Sequence, residues 1–154
     1  MIEYEIRVWV DVLAARRAVR SLGAAIGFQS REATELAIVT SELGSNILKY
    51  GRHGMLVSRA LDTPEPRRKG IVILARDYGP QFHDLATALQ DGCDDRGPLD
   101  PMKLLSRSGI GGGLGAVIRL THSFAVRPLA DGKEIVVERF LKREERAPTW
   151  IRAR

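Results

Sequence analysis

The chain has 154 residues, 44% of them hydrophobic, one cysteine and a formal charge of +5. This is enough for one domain with a real core. It excludes an internal disulfide, offers no apolar run of transmembrane length, and begins with the acidic Met1-Ile2-Glu3-Tyr4-Glu5 rather than a secretory signal, so a cytoplasmic location is expected. Lys142, Arg143, Arg146, Arg152 and Arg154, against Glu144 and Glu145, put much of the positive charge in the tail, and no strip of basic and aromatic residues marks the nearly neutral body. Neither nucleic acid nor a membrane is therefore an expected partner.

Ile2, Tyr4, Ile6, Val8 and Val10 alternate with polar residues, the period of a half-buried strand, with Trp9 as the exception. Asp11 can then cap a helix to about Leu22, apolar on the side of Val12, Ala15 and Val19 and basic at Arg16, Arg17 and Arg20. Ser30 opens a second helix, Arg31 to Tyr50, with Leu36, Leu43 and Ile47 on its stripe, Gly44 as a local weakness and Gly51 as its stop. Strands are expected at 55–61 and 71–76, joined by a charged, proline-containing loop over 62–70.

From Asp77 to Ser108 the pattern breaks up, with a short helix near 84–90 and another near 101–105. Long irregular connections of this kind are commonly binding loops or lids. A helix over 114–121, a strand over 124–128, a turn at Asp131-Gly132 and a strand over 134–141 complete the chain. The sum is an α/β (α+β) two-layer sandwich, with a mixed, mostly antiparallel sheet of four or five strands and about three main helices on one face. The domain is expected over 1–141, with 142–154 a basic, flexible tail. The second face of the sheet is left to solvent or a partner.

Three segments carry candidate chemistry. Glu42 and Asn46 stand one turn apart on the second helix, and Lys49 and Tyr50 extend that polar edge. A carboxylate, a carboxamide, an ammonium and a phenol in line could hold a metal-bound polyphosphate, or could be a solvated helix face. Asp77 ends a strand and is followed by Gly79-Pro80, so its carboxylate could accept from an exocyclic amine such as that of adenine; an unliganded turn aspartate is the plain alternative. Gly109, Gly111, Gly112, Gly113 and Gly115 lie within seven residues and run directly into a helix, the pattern of backbone amides approaching a phosphate, against the plain reading of a flexible loop. A P-loop is excluded because Gly115 is followed by Ala116 and Val117. A dinucleotide fingerprint fits poorly, since no βαβ unit surrounds Gly111, Gly113 and Ala116. Cys93, among Asp91, Asp94 and Asp95, reads as inert, and the three widely spaced histidines do not read as a zinc site.

In order, Glu42-x-x-x-Asn46-x-x-Lys49-Tyr50, Asp77-x-Gly79 and Gly109-x-Gly111-x-Gly113-Leu114-Gly115 resemble the N box and the two glycine boxes of the ATPase superfamily of gyrase, a heat-shock chaperone, histidine kinases and MutL (GHKL). Thr40-Ser41-Glu42-Leu43 and Gly113-Leu114-Gly115-Ala116-Val117-x-Arg119-Leu120 are most similar to bacterial anti-sigma-factor serine kinases and stressosome switch kinases. The resemblance spans residues 2–141 and implies a Bergerat-type fold that uses ATP and Mg2+. It implies Glu42 as general base, Asn46 on Mg2+, Lys49 on phosphate, Tyr50 lining the nucleotide pocket and Asp77 with Gly79 at the adenine amine. Gly109, Gly111, Gly113, Leu114 and Gly115 would form the ATP lid, with Arg107 and Ser108 beside it. The implied substrate is a STAS-domain antagonist protein, with a sigma factor or a PP2C-type phosphatase as further partner and room for a homodimer through Val8, Val10 or the open sheet face. The alternative is a regulator that binds nucleotide and partner without transferring phosphate. One departure stands out: Gln81 replaces the second glycine of D-x-G-x-G, followed by Phe82, and a side chain there is expected to narrow the base pocket.

Overall fold

The computed structural model describes residues 1–64, 67–90, 93–94, 97–98 and 113–142. The elements in chain order are β1 (Ile2–Ile6), α1 (Trp9–Ile26), α2 (Ser30–Tyr50), β2 (Gly54–Pro64), β3 (Arg67–Asp77), α3 (Leu85–Ala88), β4 (Cys93–Asp94), β5 (Gly97–Pro98), α4 (Gly113–Leu120), β6 (Ser123–Leu129) and β7 (Gly132–Phe140). The main sheet runs β1-β2-β3-β7-β6 with every neighbouring pair antiparallel, while β4 and β5 pair separately. It is the expected two-layer sandwich, with α1, α2 and α4 forming the helical layer.

Local chemistry moves several boundaries. The first strand stops at Ile6 rather than at Val10, because Asp11 accepts from the backbone N–H groups of Arg7 and Val8 and so starts α1 at Trp9. The same helix continues to Ile26, where Gly27, with φ of 115°, turns the chain in the left-handed region. In the second helix Glu32 bonds back to the N–H of Gln29, so Ser30 is already helical. The expected loop over 62–70 is mostly ladder instead, with β2 and β3 paired from Gly54↔Asp77 out to Pro64↔Arg67. The expected short helix near 84–90 is the single turn of α3, capped by Asp84. A helix at 101–105 and the tail from 143 onward lie outside the described residues.

The core is the seam between the layers. Ile6 and Leu56, then Ile71, Ile73 and Ala75 of β3, and Ile135 and Val137 of β7 face Val12, Val19, Leu36, Leu43, Ile47 and Val117 of the helices. Each fully buried aliphatic side chain contributes about 1.5–3 kcal/mol. Helix α2 occupies the middle of its layer, packed on α1, on α4 and on β3, so nearly every residue from Val39 to Ser45 is buried. Gly44 is part of this packing: a Cβ there would lie 2.7 Å from Cγ1 of Val12, so the glycine lets α1 approach.

The second face of the sheet is striped. Cross-strand neighbours give a row of Glu5, Met55, Arg76, Glu134 and Arg127, charged except at Met55, beside an apolar row of Val57, Leu74 and Val136. Glu134 bonds Arg76 at 2.9 Å and lies 3.8 Å from Arg127. At the far end of the layers Arg139 of β7 pairs with Glu35 of α2 and also donates to the Leu120 carbonyl, tying β7, α2 and α4 together.

Two outcomes follow. The hydrogen bond from Arg139, aided by Arg31, holds the Glu35 carboxyl below the usual glutamate range. A depressed folded-state pKa means this stabilisation is complete above the unfolded value and is lost as pH falls through the folded one. In urea titrations Glu35→Gln should cost about 1–2 kcal/mol at pH 7, a difference that shrinks towards zero below about pH 4. Gly44→Ala sets about 1 kcal/mol of helix propensity against about 1–3 kcal/mol of overpacking on Val12, so a lower melting temperature is expected.

Candidate functional site

The buried middle of α2 carries Glu42, only 7% exposed, and one turn later Asn46, half-buried. Burial on three sides explains why a carboxylate can be held here: the helix cannot roll without breaking its contacts with α1, α4 and the sheet. Oε1 of Glu42 is enclosed without a hydrogen bond of its own, although the residue keeps other interactions. Lys49 is exposed on the last turn, and Tyr50, half-buried, is the final helical residue. The polar edge expected from the sequence therefore runs from the interior out to the surface along one helix.

Asp77 ends β3 on the same face as Ile71, Ile73 and Ala75, and it is 4% exposed. Its Oδ1 accepts from the N–H of Gly79 at 2.8 Å, a tight Asx-type turn that aims the chain after β3 at the end of α2. There the two backbones touch: a Cβ on Gly79 would lie 2.1 Å from the Tyr50 carbonyl oxygen. The structure thus brings Asp77 and Gly79 against Tyr50, joining the end of α2 to the end of β3. His53 and Tyr78 close the joint, their ring centroids 4.8 Å apart. Of the residues expected to form a lid, Gly113 opens α4 with φ of 55°, and Leu114 and Gly115 are buried. Gly109, Gly111, Arg107 and Ser108 lie outside the described residues.

One residue of the site escaped the sequence reading. Lys133, opposite Asp77 in the β3–β7 ladder, is 2% exposed. Its Nζ donates to Oδ1 of Asp77 at 2.9 Å and to the Pro80 carbonyl at 2.8 Å, and lies 5.2 Å from the centroid of the Phe82 ring. The expected strand began at Glu134, one residue too late to include it; its place two residues before Ile135 and four before Val137 puts it on the core face by simple alternation. The turn itself is Ala130-Asp131, and Gly132 begins β7, where a Cβ would sit 1.9 Å from the Asp77 carbonyl oxygen.

Gln81 has a partner too. Its Nε2 donates to the Gly132 carbonyl, stapling the segment after β3 to the start of β7. The side chain expected to narrow the pocket is thus drawn across to β7, and with Lys133 it encloses Asp77 from that side. Among the described residues no three His, Cys, Asp or Glu side chains converge to hold a metal ion. Nor is any described helix long and apolar enough to cross a membrane.

Residues 10–138 match the model of the histidine kinase-like ATPase domain. The chain is also similar to the serine/threonine-protein kinase RsbT of Bacillus subtilis (strain 168), 29% identical over 134 residues that span 86% of this chain and 90% of that protein. The match takes in α2, the β3 end and α4 together, so the boxes are compared in the setting that gives them meaning. The chain belongs to the histidine kinase-like ATPase family.

Proposed function

We propose that this protein is an ATP- and Mg2+-dependent serine/threonine protein kinase of the anti-sigma or switch type. Its substrate is a hydroxyl on a STAS-domain antagonist, in a cytoplasmic partner-switching pathway that ends on a sigma factor or a PP2C-type phosphatase. The observation that carries this reading is the buried Glu42 carboxylate one turn from Asn46, on the helix whose end is locked against Asp77 and Gly79.

The donor set fits magnesium-ATP. The carboxamide oxygen of Asn46 is the hard ligand Mg2+ prefers, and Lys49 at the surface end of the same edge matches phosphate charge. Asp77 offers Oδ2 to an amine, Tyr50 walls the pocket, and Gly113 with Gly115 permits close backbone approach at the start of α4. Bound magnesium-ATP supplies the phosphoryl group that ends on the substrate oxygen, with ADP leaving. Glu42 receives the proton of the attacking hydroxyl. Its fixed position is its contribution, since phosphoryl transfer depends chiefly on alignment and charge neutralisation.

A second reading has its own observation. Because Lys133 already holds Asp77, a protein that binds its partner with little or no phosphate transfer is the alternative. Tight partner binding with no phosphorylated product would favour it.

With a STAS-domain partner and labelled ATP, Glu42→Gln should lower transfer by about a hundredfold or more while ATP affinity changes little. Asn46→Ala should lower transfer and magnesium-dependent nucleotide affinity together. Unchanged transfer in both variants would sink the assignment. By calorimetry, Asp77→Asn should weaken ATP binding by about tenfold and lower the melting temperature, because Lys133 loses its counter-charge.

A further inference from the structure

We propose that the open face of the main sheet is the interface of a symmetric dimer, in which a second copy of this chain packs face to face about a twofold axis running along β3. The inference rests on the strand register and stands apart from the nucleotide-binding reading above.

Three rows of side chains cross that face, taken in the order β1, β2, β3, β7, β6. The first is Glu5, Met55, Arg76, Glu134 and Arg127, and the second is Glu3, Val57, Leu74, Val136 and Ala125. The third runs from Arg59 through Val72 and Glu138 to Ser123. Apolar residues hold the middle: Val57, Leu74 and Val136 are half-buried, Val72 is 3% exposed, and Met55, 40% exposed, adjoins them. Charges of opposite sign stand on opposite sides of β3, Glu5 against Arg127 in the first row and Arg59 against Glu138 in the third. An apolar centre flanked by charge is the layout of a protein interface.

The order of these charges selects the partner and its orientation. A twofold axis along β3 reverses each row and lays it over itself. Glu5 then faces Arg127 of the second copy, and Arg59 faces Glu138 of the second copy, each pair formed twice. Val57 faces Val136, while Leu74 and Val72 each meet their own counterparts on the axis. Sheets stacked in this way stand about 10 Å apart, a gap that side chains fill from both sides. Arg76 also meets its counterpart, but each guanidinium is held by Glu134 of its own chain at 2.9 Å, so the meeting groups are neutralised pairs. An axis across the strands is unfavourable, because it sets Glu134 over Glu138 and Met55 over Arg59. Edge-to-edge pairing is opposed too: β1 carries Glu3 and Glu5, and β6 carries Pro128, which has no N–H to give. In the face-to-face dimer both helical layers point outwards. Both copies of Asp77, at the end of β3, lie at one end of the dimer, since this axis preserves strand direction.

Sedimentation equilibrium of the full chain over about 1–100 μM tests the proposal, with circular dichroism to establish that each variant is folded. The wild type should be dimeric at the upper concentrations. Arg59 is exposed and Glu138 half-buried, so both tolerate replacement. Arg59→Glu and Glu138→Arg should each weaken the dimer by about tenfold or more, because the repulsion acts twice. Combining the two changes restores opposite charges across the interface and should recover the wild-type constant to within about threefold. Leu74→Glu, which brings two carboxylates together on the axis, should leave a monomer. A wild type that stays monomeric overturns the proposal, as does a dimer that the single changes leave unaltered or the combined change does not recover. A monomer whose binding to a STAS-domain protein is lost in Leu74→Glu would assign the face to that partner and equally overturn it.

Discussion

The site depends on a contact between two backbones. The end of α2 and the chain after β3 meet so closely at Tyr50 and Gly79 that no side chain fits between them. Because α2 is wedged between α1, α4 and the sheet, this contact converts the position of one helix into the position of a strand end. Glu42 and Asn46 on one side and Asp77 on the other are thereby held in a fixed relation by main chain, which is stiffer than any side-chain bridge. Packing at crystal-like density makes such a joint resist small displacements rather than absorb them.

Strand β7 is secured at both ends by charge. Lys133 at its start pairs with Asp77 of β3, and Arg139 near its finish pairs with Glu35 of α2. The first pair is buried and the second partly so, and such pairs add little net stability, because desolvation offsets most of the attraction. Their effect is on register: a slip by one residue would send Ile135 and Val137 to the open face and strand both cations away from their partners. The apolar alternation and the two ion pairs thus specify the same alignment.

Much of this was legible in the sequence. The alternation of β1, the stripe of α2 and the Asp77 strand end each follow from a local period, and three boxes in order pointed to the family before any coordinate did. Other features depend on neighbours that are distant in sequence. The start of α1 moved because the Asp11 carboxylate reaches back to Arg7 and Val8, and the length of the β2–β3 hairpin came from ladder pairing that overrode a charged, proline-containing segment. Lys133 was legible only through the period of its strand, and its significance required knowing that β7 lies beside β3. Gln81 looked like a defect in a glycine box until the Gly132 carbonyl supplied its partner. Asn46, Lys49 and the glycines keep roles that rest on resemblance and chemistry together.

The strand order has a consequence for synthesis. Asp77 and Lys133 are 56 residues apart, and β7, which lies between β3 and β6 in the sheet, comes after every other described element in chain order. A growing chain can form the β2–β3 hairpin and pack α1 on α2 early, since those contacts are local. During that interval the edge of β3 is open and the Asp77 carboxylate has no ammonium beside it. The last of the described strands therefore both joins β3 to β6 and brings Lys133 to Asp77, so a chain released before Gly132 would carry an uncapped β3 edge prone to association.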